Sequence, residues 1–171
     1  MELWRYGRRF SSLGWQIEPD GSRTLKQSGV APFPWCVKPA PKFANGFVTT
    51  RFKPLGGKQD QAGGVLWRWK DGDNYYVARA NALENNVSLY YTQGEARKAI
   101  VYVDAPVARN EWHTIRVEFS GTRIVVLLDG KRYIETNDSR IQAAGLAGVW
   151  TKADSETLFT DFESAEVKKR P

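Results

Sequence analysis

The sequence has 171 residues, of which 42% are hydrophobic and 13% aromatic, and its formal net charge is +6. This hydrophobic content excludes a chain that is disordered over most of its length, and the length suits one domain. We expect a single domain over residues 1–171, with its core at about 14–167 and flexible termini. The basic excess lies at the ends, at Arg5, Arg8, Arg9, Lys168, Lys169 and Arg170. Such a distribution is typical of solvated tails and disfavours a nucleic-acid partner.

The cysteine and histidine content limits the chemistry, since Cys36 and His113 are the only residues of their types. An intrachain disulfide and a metal site built from several cysteines or histidines are therefore excluded. No stretch approaches the roughly 20 apolar residues of a membrane-spanning helix, and no signal-peptide pattern is present. We expect no membrane span. The compartment stays open, because an exported protein whose signal had been removed would look the same.

Short runs rich in Val, Ile, Tyr, Trp and Thr alternate with turn sequences along the chain. This pattern predicts an all-β fold, an antiparallel β-sandwich with two sheets and almost no helix. In chain order, the predicted strands are 46–53, 64–70, 75–80, 87–92, 100–104, 113–119, 123–128, 132–135, 145–151 and 157–167. The run at 113–119 alternates apolar and polar residues, which indicates one buried face.

Residues 30–43 contain four prolines. Because proline cannot donate a hydrogen bond to a sheet, this segment is predicted to be a long loop that crosses between sheets, with Trp35 as a possible anchor. His113 begins a strand on its apolar side, so we expect a hydrogen-bonded structural residue there. Cys36 has no histidine near it in sequence, which disfavours a nucleophile.

Three segments carry a resemblance to a known domain family: "GGVLWRWKDGDNYY" at 63–76, "EWHTIRVEF" at 111–119 and "AGLAGVWTKAD" at 144–154. In order and spacing they resemble the laminin-G-like domain of the concanavalin A-like lectin/glucanase superfamily. The closest likeness is to the bacterial 3-keto-disaccharide hydrolase domain family, over about residues 14–167. The resemblance implies a jelly roll with a concave face that often binds glycans. The sequence departs from the glucanases, because it lacks their E-x-D-x-E strand with its paired catalytic carboxylates.

Candidate binding residues lie in the region of paired aromatic and basic residues. By strand period, Trp67 and Trp69 share one face with Val65 and are expected in the core, while Arg68 is expected on the opposite, concave face. The predicted carbohydrate-binding residues are Arg68, Arg79, Tyr76 and Tyr90.

The turn at 71–74 offers three oxygen ligands, from Asp71, Asp73 and Asn74, which calcium would accept. Turn chemistry alone also explains Asp-Gly and Asp-Asn pairs, and the further ligands of an EF-hand loop are absent. These residues therefore stand as calcium candidates, and no other cofactor is expected. Asn81, Asn85 and Asn86 are expected to stabilise turns.

Three functions are compatible with these features. The first is glycan recognition on the concave face, with carbohydrate as the partner. The second is a glycoside hydrolase or lyase acting on a keto-disaccharide or a related disaccharide, which needs a carboxylate pair, or a carboxylate with a metal, near Arg68. The third is a laminin-G-like interaction domain that binds no sugar, which predicts an apolar concave face without converging polar groups.

Overall fold

Two antiparallel sheets of seven strands each form the protein in a computed structural model that describes residues 9–10, 14–94 and 96–168. In spatial order, the first sheet contains β1 (Arg9–Phe10), β4 (Trp35–Val37), β13 (Leu146–Trp150), β6 (Ala62–Asp71), β7 (Asn74–Asn81), β8 (Asn86–Gln93) and β9 (Ala96–Asp104). The second sheet contains β12 (Lys131–Asn137), β11 (Arg123–Leu128), β10 (His113–Ser120), β5 (Gly46–Gly56), β14 (Glu156–Glu166), β3 (Leu25–Gln27) and β2 (Trp15–Ile17). The described residues form no helix, and the predicted all-β sandwich is confirmed.

Every strand predicted from residue 46 onward is present, with boundaries that shift by up to four residues. The four short strands before residue 46 were missed. One of them, β4, lies inside the segment predicted to be a loop, so that prediction is wrong for Trp35–Val37. These three residues contain no proline and pair with β13, with Val37 opposite Gly148 and Cys36 opposite Val149. The prolines flank this pairing rather than interrupt it.

The main core lies between the two sheets. On β10, His113, Ile115, Val117 and Phe119 are buried, while the residues between them are half-buried. They pack against residues of the first sheet such as Trp67. This alternation is what the sequence predicted, and it places one face of the second sheet inward and the other outward.

A second apolar cluster covers part of the opposite face of the first sheet, which we call the outer face. All its buried members come from the first sheet: Val37, Leu66, Trp69, Tyr75, Val77, Tyr90, Leu146 and Trp150. Phe33 and Trp35 pack over them. Burial on both faces explains why β6 and β7 show no apolar-polar alternation.

A β-bulge at Arg68 separates the two indoles that were expected to share a face. The pairing of β6 with β7 shifts register between Trp67 and Asp71, and Arg68 has a φ of 49°. Trp67 therefore lies in the main core, whereas Trp69 packs in the outer cluster, 5.1 Å from Trp35 between ring centroids. The extra residue of a bulge changes which face the following side chains occupy.

The solvated tails expected at both ends of the chain stay a prediction. Arg5, Arg8, Lys169 and Arg170 lie outside the described residues. No helix in the described part of the chain is long and apolar enough to cross a membrane.

Candidate functional site

Arg68 is a buried structural residue, and the prediction that it faces a groove is wrong. Its side chain is 2% exposed. Nε and Nη2 donate to the carbonyl of Ala44 at 2.9 and 2.8 Å, Nη1 donates to Ile141 at 2.7 Å, and Nη2 donates to Gly121 at 2.7 Å. Cζ lies 5.4 Å from the centroid of the Phe119 ring. The guanidinium thus ties three chain segments together at one end of the sandwich.

Tyr76 also faces the main core, so its prediction as a binding residue is wrong. Its hydroxyl donates to Asp138 Oδ1 at 2.5 Å and accepts from the backbone N–H of Ile141 at 3.0 Å. Burial, together with the hydrogen bond to Asp138, raises the pKa of Tyr76 to about 12. The regular alternation of β7 places Tyr76 inward and its neighbours Tyr75 and Val77 outward.

Arg79 and Tyr90 lie together on the outer face, and their role in carbohydrate binding stays a prediction. Arg79 is 1% exposed, and its Cζ lies 5.4 Å from the centroid of the Tyr90 ring. Nη1 contacts Asp60 Oδ1 at 3.1 Å, and Nη2 contacts Glu84 Oε2 at 3.0 Å. Burial lowers the pKa of Arg79, but the charges of Tyr90, Glu84 and Asp60 outweigh it and the net shift is upward.

Two connections bring the acidic residues to Arg79. Asp60 lies between β5 and β6, and Glu84 lies in the turn between β7 and β8. Asn81 joins them: its Oδ1 accepts from the backbone N–H of Leu83 at 2.9 Å, and its Nδ2 donates to Asp60 Oδ1 at 2.8 Å. The predicted turn role of Asn81 is confirmed. The acidic residues were missed because their positions depend on tertiary contacts between distant segments.

Asp154 fixes the connection that carries Asp60. Its carboxylate accepts from the backbone N–H groups of Lys58 at 2.7 Å, Gln59 at 3.0 Å and Asp60 at 3.2 Å. These hydrogen bonds, that from Lys58 above all, lower the pKa of Asp154. A carboxylate that receives several backbone N–H groups holds a loop in one conformation.

Tyr102 and Glu84 form the accessible rim of this cluster. Tyr102 is 53% exposed, and its hydroxyl is hydrogen-bonded to that of the buried Tyr90. The two rings meet edge to face, with centroids 5.6 Å apart. Glu84 is 39% exposed and accepts from Asn86 Nδ2 at 3.0 Å. A bound molecule would therefore meet an aromatic ring and a carboxylate first.

Arg97 completes the cluster from the edge strand β9. Its Cζ lies 3.9 Å from the centroid of the Tyr90 ring, 5.1 Å from that of Phe33 and 5.5 Å from that of Trp150. The sequence prediction started this strand at Ile100 and so missed Arg97. Extending the strand to Ala96 aligns Arg97 with Thr92 of β8, on the same face as Tyr90. We call Asp60, Arg79, Glu84, Tyr90, Arg97 and Tyr102 the Arg79 site.

The calcium candidates form an ordinary polar turn. Asp71 Oδ1 accepts from the backbone N–H of Asp73 at 2.9 Å and from Asn74 Nδ2 at 2.8 Å. The hydrogen bond from Asn74, followed by that from Asp73, lowers the pKa of Asp71. Among the described residues, no group of three or more His, Cys, Asp or Glu is placed to hold a metal ion. Calcium binding at this turn stays a prediction.

His113 has the structural contacts that the sequence predicted. Nδ1 lies 2.7 Å from Asp129 Oδ2, and Nε2 lies 2.7 Å from the carbonyl oxygen of Ala108. Cys36 is fully buried in β4. Neither residue belongs to the Arg79 site.

A groove of about 340 Å³ on the second sheet is a competing surface, and its lining includes Phe47, Arg116 and Arg123. Arg116 Nε is 2.9 Å from Glu118 Oε1, and its Cζ lies 4.1 Å from the Phe47 ring centroid. Arg123 is paired with a glutamate on β12 at 2.8 Å. Both arginines already have carboxylate partners, whereas Arg97 of the Arg79 site has none among the described residues.

Comparison with known proteins identifies the family. A family model described as Laminin G domain matches residues 58–159, which is more than half of the chain. The chain belongs to the laminin G domain family. The expected resemblance to laminin-G-like jelly rolls is therefore confirmed, while the narrower likeness to 3-keto-disaccharide hydrolase domains stays a prediction.

Solved structures of similar fold include sugar-binding proteins and an enzyme. The carbohydrate-binding module CBM66 from Bacillus subtilis has a TM-score of 0.82 and 19% identity, covering 92% of this chain and 94% of its own. The exoplasmic/lumenal domain of VIP36 in its Ca²⁺/Man-bound form has a TM-score of 0.65 and 12% identity, covering 96% and 91%. The β-glucanase of Bacillus licheniformis has a TM-score of 0.63 and 12% identity, covering 91% and 83%. A search of curated protein sequences found no match. At these identities the likeness shows the fold alone.

Proposed function

We propose that this laminin G domain binds carbohydrate at the Arg79 site, on the outer face of the first sheet. The observation that carries the proposal is the convergence of charged and aromatic side chains there. They lie on a sheet face that contributes nothing to packing between the two sheets. The polar floor is buried around Arg79, which is 1% exposed, whereas Tyr102 at the rim is 53% exposed.

The chemistry of the site suits a sugar. Hydroxyl groups both donate and accept hydrogen bonds, and the site offers guanidinium donors beside carboxylate acceptors. The Tyr102 ring provides a flat apolar surface with a polar tip. Asn81 and Asp154 hold Asp60 in position before any ligand arrives, which reduces the entropy lost on binding.

The similar structures support the same class of ligand. One of them is described as a carbohydrate-binding module, and another was solved in a Ca²⁺/Man-bound form. A laminin-G-like interaction domain without a sugar ligand predicts a face that lacks converging polar groups. The Arg79 site has such groups, which favours a carbohydrate over an apolar partner.

The positions and partners of the carboxylates at the Arg79 site favour binding without hydrolysis. A hydrolase needs an acid and a second carboxylate on either side of the scissile bond. Here Asp60 and Glu84 contact the same guanidinium. Asp60 also accepts from Asn81 at 2.8 Å, and its Oδ2 lies 3.5 Å from Lys152 Nζ. Arg68, near which the hydrolase hypothesis needs a carboxylate, donates its hydrogen bonds to backbone carbonyls.

A glycan array followed by calorimetry with two variants tests the proposal. Tyr102→Ala removes the exposed ring at the Arg79 site. Trp112→Ala is the matched control, because its ring lies beside Arg51 and Lys53 on the second sheet, with Arg51 Cζ at 5.1 Å from the ring centroid. We expect Tyr102→Ala to weaken binding by about tenfold, which corresponds to roughly 1.4 kcal/mol.

The control variant Trp112→Ala shows which result would contradict the proposed location. If Trp112→Ala abolishes binding while Tyr102→Ala binds like the wild type, the ligand contacts the second sheet and the proposed location is wrong. If an array hit is cleaved by the wild-type protein, the hydrolase hypothesis replaces simple recognition.

A further inference from the structure

Arg97 has no counterion among the residues that the structure describes. Aromatic rings surround its guanidinium, with the Tyr90 centroid at 3.9 Å and those of Phe33 and Trp150 at 5.1 and 5.5 Å. In the part of the chain that the structure describes, it makes no hydrogen bond and no ion pair. Its Nη1 is buried, and no described residue accepts a hydrogen bond from it. The rings orient the guanidinium, and no described residue uses its hydrogen-bonding capacity.

The neighbouring carboxylates are already engaged elsewhere. Asp60 contacts Arg79, Asn81 and Lys152. Glu84 contacts Arg79 at 3.0 Å and Asn86 at 3.0 Å. Among the described residues, the Arg79 site and the adjoining Lys152 therefore hold three cationic and two anionic side chains, and the cation without a carboxylate partner is Arg97.

Two further features point to a missing anion. Burial, with the repulsion of Arg79, lowers the pKa of Arg97, although the nearby tyrosines and Asp60 oppose this shift. Nε of Arg79, a residue that is 1% exposed, also has no acceptor among the described residues. Partly desolvated cations and buried donors without acceptors are unfavourable unless a ligand supplies the partner.

We propose that the carbohydrate bound at the Arg79 site is acidic, and that its carboxylate or sulfate group pairs with Arg97. This inference rests on the proposed function and adds the chemical class of the ligand. A planar guanidinium binds a carboxylate or sulfate through two parallel hydrogen bonds, a geometry that a neutral hydroxyl cannot offer. Tyr102 would then contact the sugar ring while Arg97 binds its acidic substituent.

Matched acidic and neutral sugars test the inference. The probes are trigalacturonic acid and cellotriuronic acid, their carboxyl-reduced neutral trisaccharides, and sulfated forms of those neutral trisaccharides. Calorimetry should show the wild type binding at least one acidic probe about tenfold or more tightly than its neutral counterpart. The uronate and sulfate probes distinguish which anionic group is preferred.

The variant Arg97→Gln should remove this preference, so that the acidic and neutral probes bind within about twofold of each other. Lys98→Gln is the matched control, since it makes the same change in net charge at the next residue, which is exposed. It should keep the preference of the wild type. The Arg97 Nε–H resonance should shift on titration with the acidic probe and stay in place with the neutral one.

Stability measurements separate a binding role from a structural one. Because the contacts with three rings oppose the cost of burying a cation that has no described counterion, Arg97→Gln should change Tm by less than about 5 °C. A fall of more than about 5 °C, which corresponds to roughly 1.5–2 kcal/mol, would overturn the inference, since Arg97 would then be needed for folding.

The binding outcomes distinguish the two proposals. Equal affinity of the wild type for acidic and neutral probes overturns the acidic-ligand inference and leaves carbohydrate binding in place. If Arg97→Gln loses the same fraction of its affinity for the acidic and the neutral probe, the inference is also overturned. Arg97 would then contact the ligand whatever its charge. Failure of the wild type to bind any probe or array glycan overturns both.

Discussion

Replacing Arg68 with alanine should destabilise the protein severely without acting through the binding site. The change removes four hydrogen bonds from a charged donor and leaves the carbonyl groups of Ala44, Gly121 and Ile141 without that partner. It also removes the contact with the Phe119 ring. Each hydrogen bond from a charged group contributes about 1.5–3 kcal/mol, but the desolvation of the buried guanidinium opposes that gain. We therefore expect a net loss on the order of 3–5 kcal/mol.

Urea unfolding followed by tryptophan fluorescence measures this loss. Arg123→Ala is the matched control, because Arg123 is an exposed arginine whose side chain is 54% accessible in its ion pair. Its unfolding midpoint should stay close to that of the wild type, since exposed ion pairs contribute little. Lysine at position 68 should recover only part of the stability, because one ammonium group cannot reach three carbonyls at once. A small effect of Arg68→Ala, similar to that of Arg123→Ala, would refute a structural role for the buried guanidinium.

Three further predictions concern pH and calcium. The backbone N–H of Lys58 and its two neighbours lower the pKa of Asp154, so its contribution is present at neutral pH and lost in acid. Asp154→Asn should lower Tm by about 2–4 °C at pH 7, with the two curves converging below about pH 4; a constant difference would contradict this. Burial and a hydrogen-bonded carboxylate raise the pKa of Tyr76 to about 12. Wild-type stability should therefore fall more steeply than that of Tyr76→Phe as the pH rises from about 10 to about 12, and parallel curves would count against the assignment. Because Asp71 Oδ1 is occupied by its own turn, millimolar calcium should leave Tm unchanged; a rise that is absent in Asp73→Asn would show a calcium site.

The regular strands were predictable because local patterns specify them. The residues of β10 alternate between buried and half-buried from His113 to Phe119, and its predicted and observed boundaries differ by one residue. The N-terminal strands β2, β3 and β4 have three residues each, too few to show a period. They exist because neighbouring strands offer hydrogen-bond partners, which is a tertiary effect.

The binding residues likewise divide into those that a local pattern can place and those that only tertiary contacts place. Arg79 and Tyr90 lie on β7 and β8, which pair without a register shift, so strand period puts both side chains on one face. Arg68 was misplaced because a bulge with positive φ inverts the expected orientation, and an arginine gives no local indication of such a conformation. Asp60 and Arg97 reach the site from a loop and an edge strand, and only the assembled sandwich brings them together.

The most direct test of the account is an amide and side-chain NMR titration of the wild-type protein with the strongest glycan from the array. The account predicts that the largest shifts occur at Glu84, Arg97 and Tyr102, on the outer face of the first sheet. Shifts that cluster instead around Trp112 or the groove beside Arg116 on the second sheet would contradict it.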